Sequence, residues 1–277
     1  MRTIAVFNRK GGTGKTVTAI NMAAELAAQY RDPPKPPSLM PAADRYRVLV
    51  IDADSQYDAT RFFGFDPEKC TGMAELILGR KDYAADDYVY ETIVPGVSLV
   101  PGSSELDAAD VRGAGNLLCV AELIDALRED AEAADEAPPY DFVLIDCPPN
   151  YSEACKAALY AADDVIIPVA MGKFAIDGMA DVMVQINNMR TIQPRIRVAG
   201  ALVTMWHNTP AAVQAEAALR ASSLPVFDTH IRRTDRVDEA LFKSQTLDTF
   251  SRRSAAAQDY RAFVVEYLEG VRGDGEI

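Results

Sequence analysis

The sequence predicts an α/β fold, a doubly wound and mostly parallel sheet with helices on both faces. Three observations carry that expectation. Short apolar runs rich in β-branched residues alternate along the chain with Ala-rich stretches of helical spacing, the pattern of successive strand–helix units. Several runs are almost continuously apolar rather than alternating, as strands covered on both faces must be. The chain has 277 residues, 49% hydrophobic and 25% charged, which suits a soluble chain with a large core.

Taken in order, the first expected strand is 3–8 and the first helix 16–30, separated by a glycine cluster. Residues 31–47 hold five of the 16 prolines (Pro33, Pro34, Pro36, Pro37 and Pro41). Proline fixes φ and lacks an amide proton, so this stretch is expected as a surface loop, neither helix interior nor central strand. It is long for such a connection. Strands follow at 48–54 and 97–101, then a helix at 117–134 whose acidic end runs into Pro138-Pro139, a second loop at 129–139. The remaining strands are expected at 142–146, 165–170, 198–205 and 225–231, and the remaining helices at 152–162, 176–190, 211–221 and 255–268. The alternation resumes after each loop, so residues 1–277 are expected to form a single domain. There is no internal repeat.

Charge and composition exclude several classes. No apolar run approaches the roughly 20 residues of a spanning helix, and the start is not a signal peptide. Four cysteines show no paired metal spacing and make no disulfide framework; the protein is expected to be cytoplasmic. The net charge is −13, which opposes nucleic acid and anionic lipid. The charge is uneven, however: residues 172–253 carry 11 basic and 8 acidic side chains.

The strongest local signal is Asn8-Arg9-Lys10-Gly11-Gly12-Thr13-Gly14-Lys15-Thr16. It follows a strand and opens a helix, the context a phosphate loop requires. Glycines at 11, 12 and 14 let backbone N–H groups turn toward phosphate oxygens. The helix N-terminus adds its positive end. Lys15 offers a charge to the β- and γ-phosphates, and the Thr16 hydroxyl can ligate Mg²⁺.

The ordinary G-x-x-x-x-G-K-[ST] pattern needs glycine at position 9, where this chain has Arg9, and a lysine stands at position 10. Lys-Gly-Gly-Thr-Gly-Lys-Thr resembles the deviant Walker A box of the ParA/MinD family of P-loop ATPases. The resemblance implies ATP and Mg²⁺ as ligands, with Gly11, Gly12, Thr13, Gly14, Lys15, Thr16 and Val17 around the nucleotide. It makes Lys10 the signature lysine, which reaches the nucleotide of the partner subunit in an ATP-sandwich homodimer. Val48–Gln56, with Asp52 and Asp54, resembles the family's first switch; Asp54 would orient the attacking water and Asp52 would lie near the magnesium. Asp141–Pro149 resembles Walker B and the second switch, with Asp146 holding Mg²⁺ through water. Residues 167–179 resemble the strand and helix that follow. Residues 201–205 resemble the strand near the adenine, which brings in Met205. Residues 231–236 resemble the family's I-P-R-N-x-R segment. Catalysis is thereby assigned to Lys10, Lys15 and Asp54, and the metal to Thr16, Asp52 and Asp146.

The similarity is to ParA-type, Soj-like partition ATPases without an N-terminal helix-turn-helix domain. That implies slow hydrolysis, non-specific DNA binding in the ATP state, a centromere-binding ParB-type partner that stimulates hydrolysis, and a nucleoid-associated place in the cytoplasm. Candidate DNA contacts are Arg233, Arg236, Arg252 and Arg253, with Arg195 and Arg197 as additions to the same patch. The sequence departs from the family at Val17, Ser55, Asp58, Asp177 and Arg232. Other readings are a ParA-like ATPase positioning a non-DNA cargo, and a redox ATPase like the nitrogenase iron protein, for which Cys119 and Cys147 are the candidate cluster ligands. A membrane-docking C-terminal helix is not expected, because the chain's end is acidic and interrupted by glycine.

Overall fold

The computed structural model describes residues 1–31, 44–79, 84–113, 115–172 and 175–273. The prolines of the loop at 33–41, Phe174 and the last four residues lie outside the described residues, as does the side chain of Asp177.

One eight-stranded sheet runs in the order β3-β4-β2-β5-β1-β6-β7-β8. Its strands are β1 (Arg2–Val6), β2 (Val48–Asp52), β3 (Tyr90–Glu91), β4 (Val97–Val100), β5 (Phe142–Asp146), β6 (Asp164–Ala170), β7 (Arg197–Trp206) and β8 (Val226–Arg232). All neighbours pair in parallel except the β3–β4 edge. The helices that frame the site are α1 (Lys15–Ala28), α2 (Asp58–Phe62), α3 (Met73–Ile77), α4 (Leu106–Arg112), α5 (Cys119–Ala133), α6 (Glu153–Ala161), α7 (Ala175–Arg190), α8 (Pro210–Arg220), α9 (Arg236–Phe242), α10 (Leu247–Ser251) and α11 (Ala255–Gly273).

The continuous apolar runs are explained by two cores, one on each face. Ala5, Leu49, Ile51, Val143 and Ile145 pack with α3, α5, α6 and α7. Their immediate neighbours Ile4, Val48, Val50, Phe142 and Leu144 point the other way and pack with α1 and α11. Successive side chains of a strand point to opposite faces, so a strand covered twice needs apolar residues at every position. The seven expected strands agree with the structure to within two residues at each end.

Three differences stand out. The two-residue strand β3 and the five- to seven-residue helices α2, α3, α4, α9 and α10 escaped the sequence reading, being too short to show a period. The C-terminal helix is not broken by glycine: α11 continues through Gly270 to Gly273, with Val271 1% exposed on its inner face. Arg197 does not join a patch with Arg233. It sits at the amino end of β7, where its guanidinium meets Asp164 at 2.7 Å, whereas Arg233 follows the carboxyl end of β8. A ten-residue strand separates the two edges by about 30 Å, and Arg195 lies with Arg197.

The ends of the proline-rich loop are tied down. Tyr30 and Arg45 form an antiparallel bridge. Arg31 pairs with Asp141 at 2.8 Å, and the Arg47 guanidinium donates to the carbonyl of Pro138 at 2.5 Å. The described ends of the two expected loops therefore meet, through Arg47 and Pro138, at the amino edge of the sheet, away from the phosphate loop.

Candidate functional site

The site lies at the carboxyl edge of the central strands. β1 has β5 on one side and β6 on the other, so the loops after β1 and β6 depart at the point where strand order reverses, the place where open α/β sheets bind ligands. The phosphate loop occupies that crevice. Gly12 and Gly14 adopt φ of 69° and 86°, left-handed values that a side chain would strain. Gly14 is the N-cap of α1 and has no capping side chain, so the first amides of the helix stay available to an anion.

The loop is braced before any ligand arrives. Asn8 donates its side-chain amide to the carbonyl of Pro168 at 2.7 Å and accepts from the Lys10 N–H at 3.0 Å. The Thr204 hydroxyl donates to the Thr13 carbonyl at 2.8 Å. The Lys15 ammonium, 7% exposed, donates to the Lys10 carbonyl at 3.4 Å. Lys10 itself is exposed, and its side chain has no acid partner among the described residues.

Facing the loop are the carboxylates at the ends of β2 and β5, adjacent in register as Asp52 and Asp146. Asp52 is fully enclosed. It accepts from the Thr60 N–H at 2.8 Å, the Thr60 hydroxyl at 2.7 Å and the Asp54 N–H at 3.2 Å. The Thr60 hydroxyl oxygen in turn accepts from the Gly102 N–H at 2.9 Å. A β-carbon on Gly102 would lie 2.6 Å from the Asp52 carbonyl, so only glycine lets that loop close. Burial pushes the Asp52 carboxyl up to about 6, against the Thr60 hydrogen bonds that oppose the rise.

Asp146 is different. It is 1% exposed, and neither carboxylate oxygen has a hydrogen-bond partner among the described residues. Burial, then repulsion from Asp52, push its proton affinity well above the usual carboxylate range; the nearby Thr16 hydroxyl and Lys15 ammonium only partly offset this. A buried unsatisfied carboxylate costs on the order of 1–3 kcal/mol or more. Beside the Thr16 hydroxyl and a phosphate loop, this is the donor set of a hydrated Mg²⁺. No group of three or more His, Cys, Asp or Glu forms a cage among the described residues, as expected for a metal that shares its shell with phosphates and water. The residues present therefore fit Mg²⁺.

A cavity of about 280 Å³ opens beside Gly14 and Val17 and extends past Thr204 and Met205 to Ile231–Thr234, Val237, Asp238 and Tyr260. Met205 holds φ at 51° and is 43% exposed. Arg233 lines this cavity. Arg236 pairs with Glu239 at 2.5 Å and Arg252 with Asp248 at 3.4 Å; Arg253 is exposed and meets no acid among the described residues. Sequence reasoning missed Thr60 and Asp238, single polar residues that carry no motif, and took Thr204 only as part of the strand at 201–205.

Comparison with known proteins bears on this geometry. A family model described as an AAA domain matches residues 1–32 and 37–198. The chain is 34% identical to the chromosome-partitioning ATPase Soj of Thermus thermophilus, over 98% of this chain and 97% of that one. The chain belongs to the ParA/MinD family of P-loop ATPases. It is 29% identical to the chromosome partitioning protein ParA of Caulobacter vibrioides, over 98% and 96% of the two chains. Among solved structures, cobyrinic acid a,c-diamide synthase of Mycobacterium smegmatis, with an ATP analog and magnesium, superposes with a TM-score of 0.79 at 27% identity, covering 99% of this chain and 96% of that one. This ParA-like ATPase has no described helix long and apolar enough to cross a membrane. Cys119 and Cys147 are 2% and 0% exposed, on the helix and strand end of the inner core, so neither thiol can reach a cluster shared between subunits.

Proposed function

We propose that the chain is a partition-type ATPase. Its ATP-bound form closes into a homodimer and holds DNA without sequence preference, until a ParB-type centromere-binding partner stimulates hydrolysis. The observation that carries this reading is Lys10. Its backbone is built into the phosphate loop, since its carbonyl receives Lys15 and its N–H is held by Asn8. Its ammonium stands exposed at the lip with no acid partner among the described residues. A loop lysine that serves its own subunit, as Lys15 does, is buried; one that serves a facing subunit must be presented.

The other roles follow from position. The amides of Gly11–Val17 and the Lys15 ammonium bind the polyphosphate. Mg²⁺, held by Thr16 and through water by Asp146, would neutralise charge on the terminal phosphates. Asp52 has its oxygens engaged by Thr60 and Asp54, so it borders the metal's water shell and keeps the switch folded. Asp54 accepts from the Gln56 N–H at 3.0 Å on one oxygen; its other oxygen has no hydrogen bond among the described residues and would hold and orient a water. Met205 and Val17 wall the base. The whole chain acts as one domain.

DNA would be met by Arg233, Arg236, Arg252 and Arg253. The Arg236–Glu239 pair is exposed, and Arg252 is exposed on a longer contact to an Asp248 that also pairs with Arg261; such surface pairs contribute only about 0–1 kcal/mol, so a phosphate can displace them. Dimerisation doubles the contacts, which makes binding ATP-dependent and places the protein on the nucleoid. A mobility assay with mixed-sequence duplex at two salt concentrations, with and without ATP, tests this. Retention only with ATP, weakening steeply with salt, is the expected result. Indifference to DNA at low salt with ATP bound would contradict it and favour a ParA-like ATPase carrying a cargo on another scaffold.

A further inference from the structure

The cavity beside the phosphate loop has a polar rim whose hydrogen-bonding capacity is mostly already spent. The Tyr260 hydroxyl is shared with Thr18 at 3.2 Å. The Arg232 guanidinium is held by Asp259, with contacts of 2.6 and 2.9 Å. The Thr204 hydroxyl is committed to the Thr13 carbonyl at 2.8 Å. The Thr234 hydroxyl oxygen accepts from the Arg236 N–H at 3.3 Å, which leaves its proton to donate. Asp238, in the first turn of α9, lines the same cavity and has no hydrogen bond or ion pair among the described residues. It is an acceptor only. Arg233 and Asp238 are both exposed on the rim, but Arg233 ends a long flexible stem, whereas Asp238 has a short side chain on a helix whose Val237 and Ala240 pack into the core.

We propose that Asp238 is the specificity-determining residue for the base: its carboxylate accepts from the exocyclic amine at position 6 of adenine and rejects a 6-oxo purine. This rests on the reading of the cavity as the base site. The phosphates must lie over Gly14, at one end of the cavity. The base, walled by Val17 and Met205 and farther from the phosphates than the ribose, then reaches toward Thr234, Val237 and Asp238. Adenine offers an N–H donor at position 6, which a carboxylate can hold. Guanine and hypoxanthine offer a carbonyl oxygen there, whose lone pairs face the carboxylate's own. A fixed acceptor discriminates because the wrong ligand sets lone pair against lone pair and leaves the carboxylate without a donor. The Thr234 hydroxyl can donate to the ring nitrogen of adenine beside that amine, and it is tolerant, since it can accept as well as donate.

Inosine triphosphate isolates position 6, because it differs from ATP in the 6-oxo group and the ring N–H and lacks guanine's 2-amine. The experiment is calorimetry of Mg-ATP, Mg-ITP and Mg-tripolyphosphate on the full chain and on Asp238→Asn. An asparagine amide can turn to accept from the amine or donate to the oxo group. Wild type should prefer ATP over ITP by about 10–100-fold. Asp238→Asn should bring the two within about 3-fold, chiefly by tightening ITP, a gain that misfolding cannot mimic. An unchanged ATP-to-ITP ratio would overturn the assignment. So would an equal loss for both nucleotides, which would place Asp238 on the ribose instead. If wild type binds Mg-tripolyphosphate as tightly as Mg-ATP, the base makes no net contact, and it is the cavity reading that fails.

Discussion

Two buried aspartates flank the central strand β1 and are treated in opposite ways. Asp164 opens β6 at the amino edge and is 0% exposed. It is fully partnered: Arg2 and Arg197 each donate at 2.7 Å, as does the Tyr267 hydroxyl. Burial alone would raise its proton affinity, but those three partners outweigh it and hold the carboxyl below its usual range. Asp146 closes β5 at the carboxyl edge, equally buried, with no partner for either oxygen among the described residues. The amino edge uses its charge to tie strands β1, β6 and β7 to helix α11. On the proposed reading, the carboxyl edge leaves its charge for a ligand to satisfy. Local stability is given up where function needs an electrostatic vacancy.

The largest effect should come from removing the cation that serves the phosphates. Lys15→Ala is expected to weaken Mg-ATP binding by about 10³-fold or more, since a charge-assisted contact to the polyphosphate is lost in a buried site. Asp54→Ala should keep binding within a few-fold yet slow phosphate release by about 10²-fold or more, because only the placement of water is lost. Calorimetry and phosphate-release kinetics separate the two; normal turnover by the Asp54 variant would remove it from the mechanism.

The two aspartates should respond to mutation with opposite signs. Asp164→Ala leaves two arginines at the amino edge without their carboxylate and should destabilise by about 3–5 kcal/mol. Asp146→Asn removes a buried carboxylate that Thr16 and Lys15 only partly offset, and should stabilise the ligand-free protein by about 1–2 kcal/mol while abolishing hydrolysis. Urea unfolding of both variants measures this, and similar losses in both would erase the contrast.

Acidity sharpens the same comparison. Asp52 and Asp146 have folded-state proton affinities above those of the unfolded chain, with Asp52 at about 6. The folded state then binds more protons, so their contribution is greatest below pH ~4; that of Asp52 is lost as pH rises through about 6, and that of Asp146 likewise falls as pH rises. Asp164 has the reverse shift; its contribution is present above the usual carboxylate range and is lost in stronger acid. Melting temperature of the ligand-free protein should therefore rise between pH 7 and pH 5. Saturating Mg-ATP should flatten that rise, because the metal competes with the protons. A fall in melting temperature between pH 7 and pH 5 without ligand would show that the switch carboxylates are already compensated. The smallest effect concerns the arginines: each DNA contact removed, Arg253→Ala for example, should lower the salt slope of binding by about 0.9.

The difference between the edges also governs what the sequence revealed. Strands β1, β2 and β5 were legible because burial on both faces writes an unbroken apolar run, and the meeting of Lys15, Thr16, Asp52 and Asp146 at one edge was legible because each ends a strand or opens a helix at a motif's spacing. The salt-bridged amino edge was not: Arg2, Asp164, Arg197 and Tyr267 are scattered along the chain and meet only through the order of strands. For the same reason Arg197 was grouped with Arg233 when the two occupy opposite ends of the sheet. The two-residue β3 and the short α9 and α10 have too few residues for any period to emerge. Gly270 looked like a helix stop, but tertiary packing of Tyr267, Leu268 and Val271 carries α11 past it.

The central claim is that Lys10, exposed at the lip of a buried site, acts on a second copy of the chain. Light scattering of wild type and Lys10→Ala with and without Mg-ATP tests it most directly, alongside calorimetry to confirm that both bind nucleotide. Wild type should double its mass on ATP, whereas the variant should bind ATP and remain a monomer that does not hydrolyse it. An ATP-dependent dimer in the Lys10 variant would contradict the account.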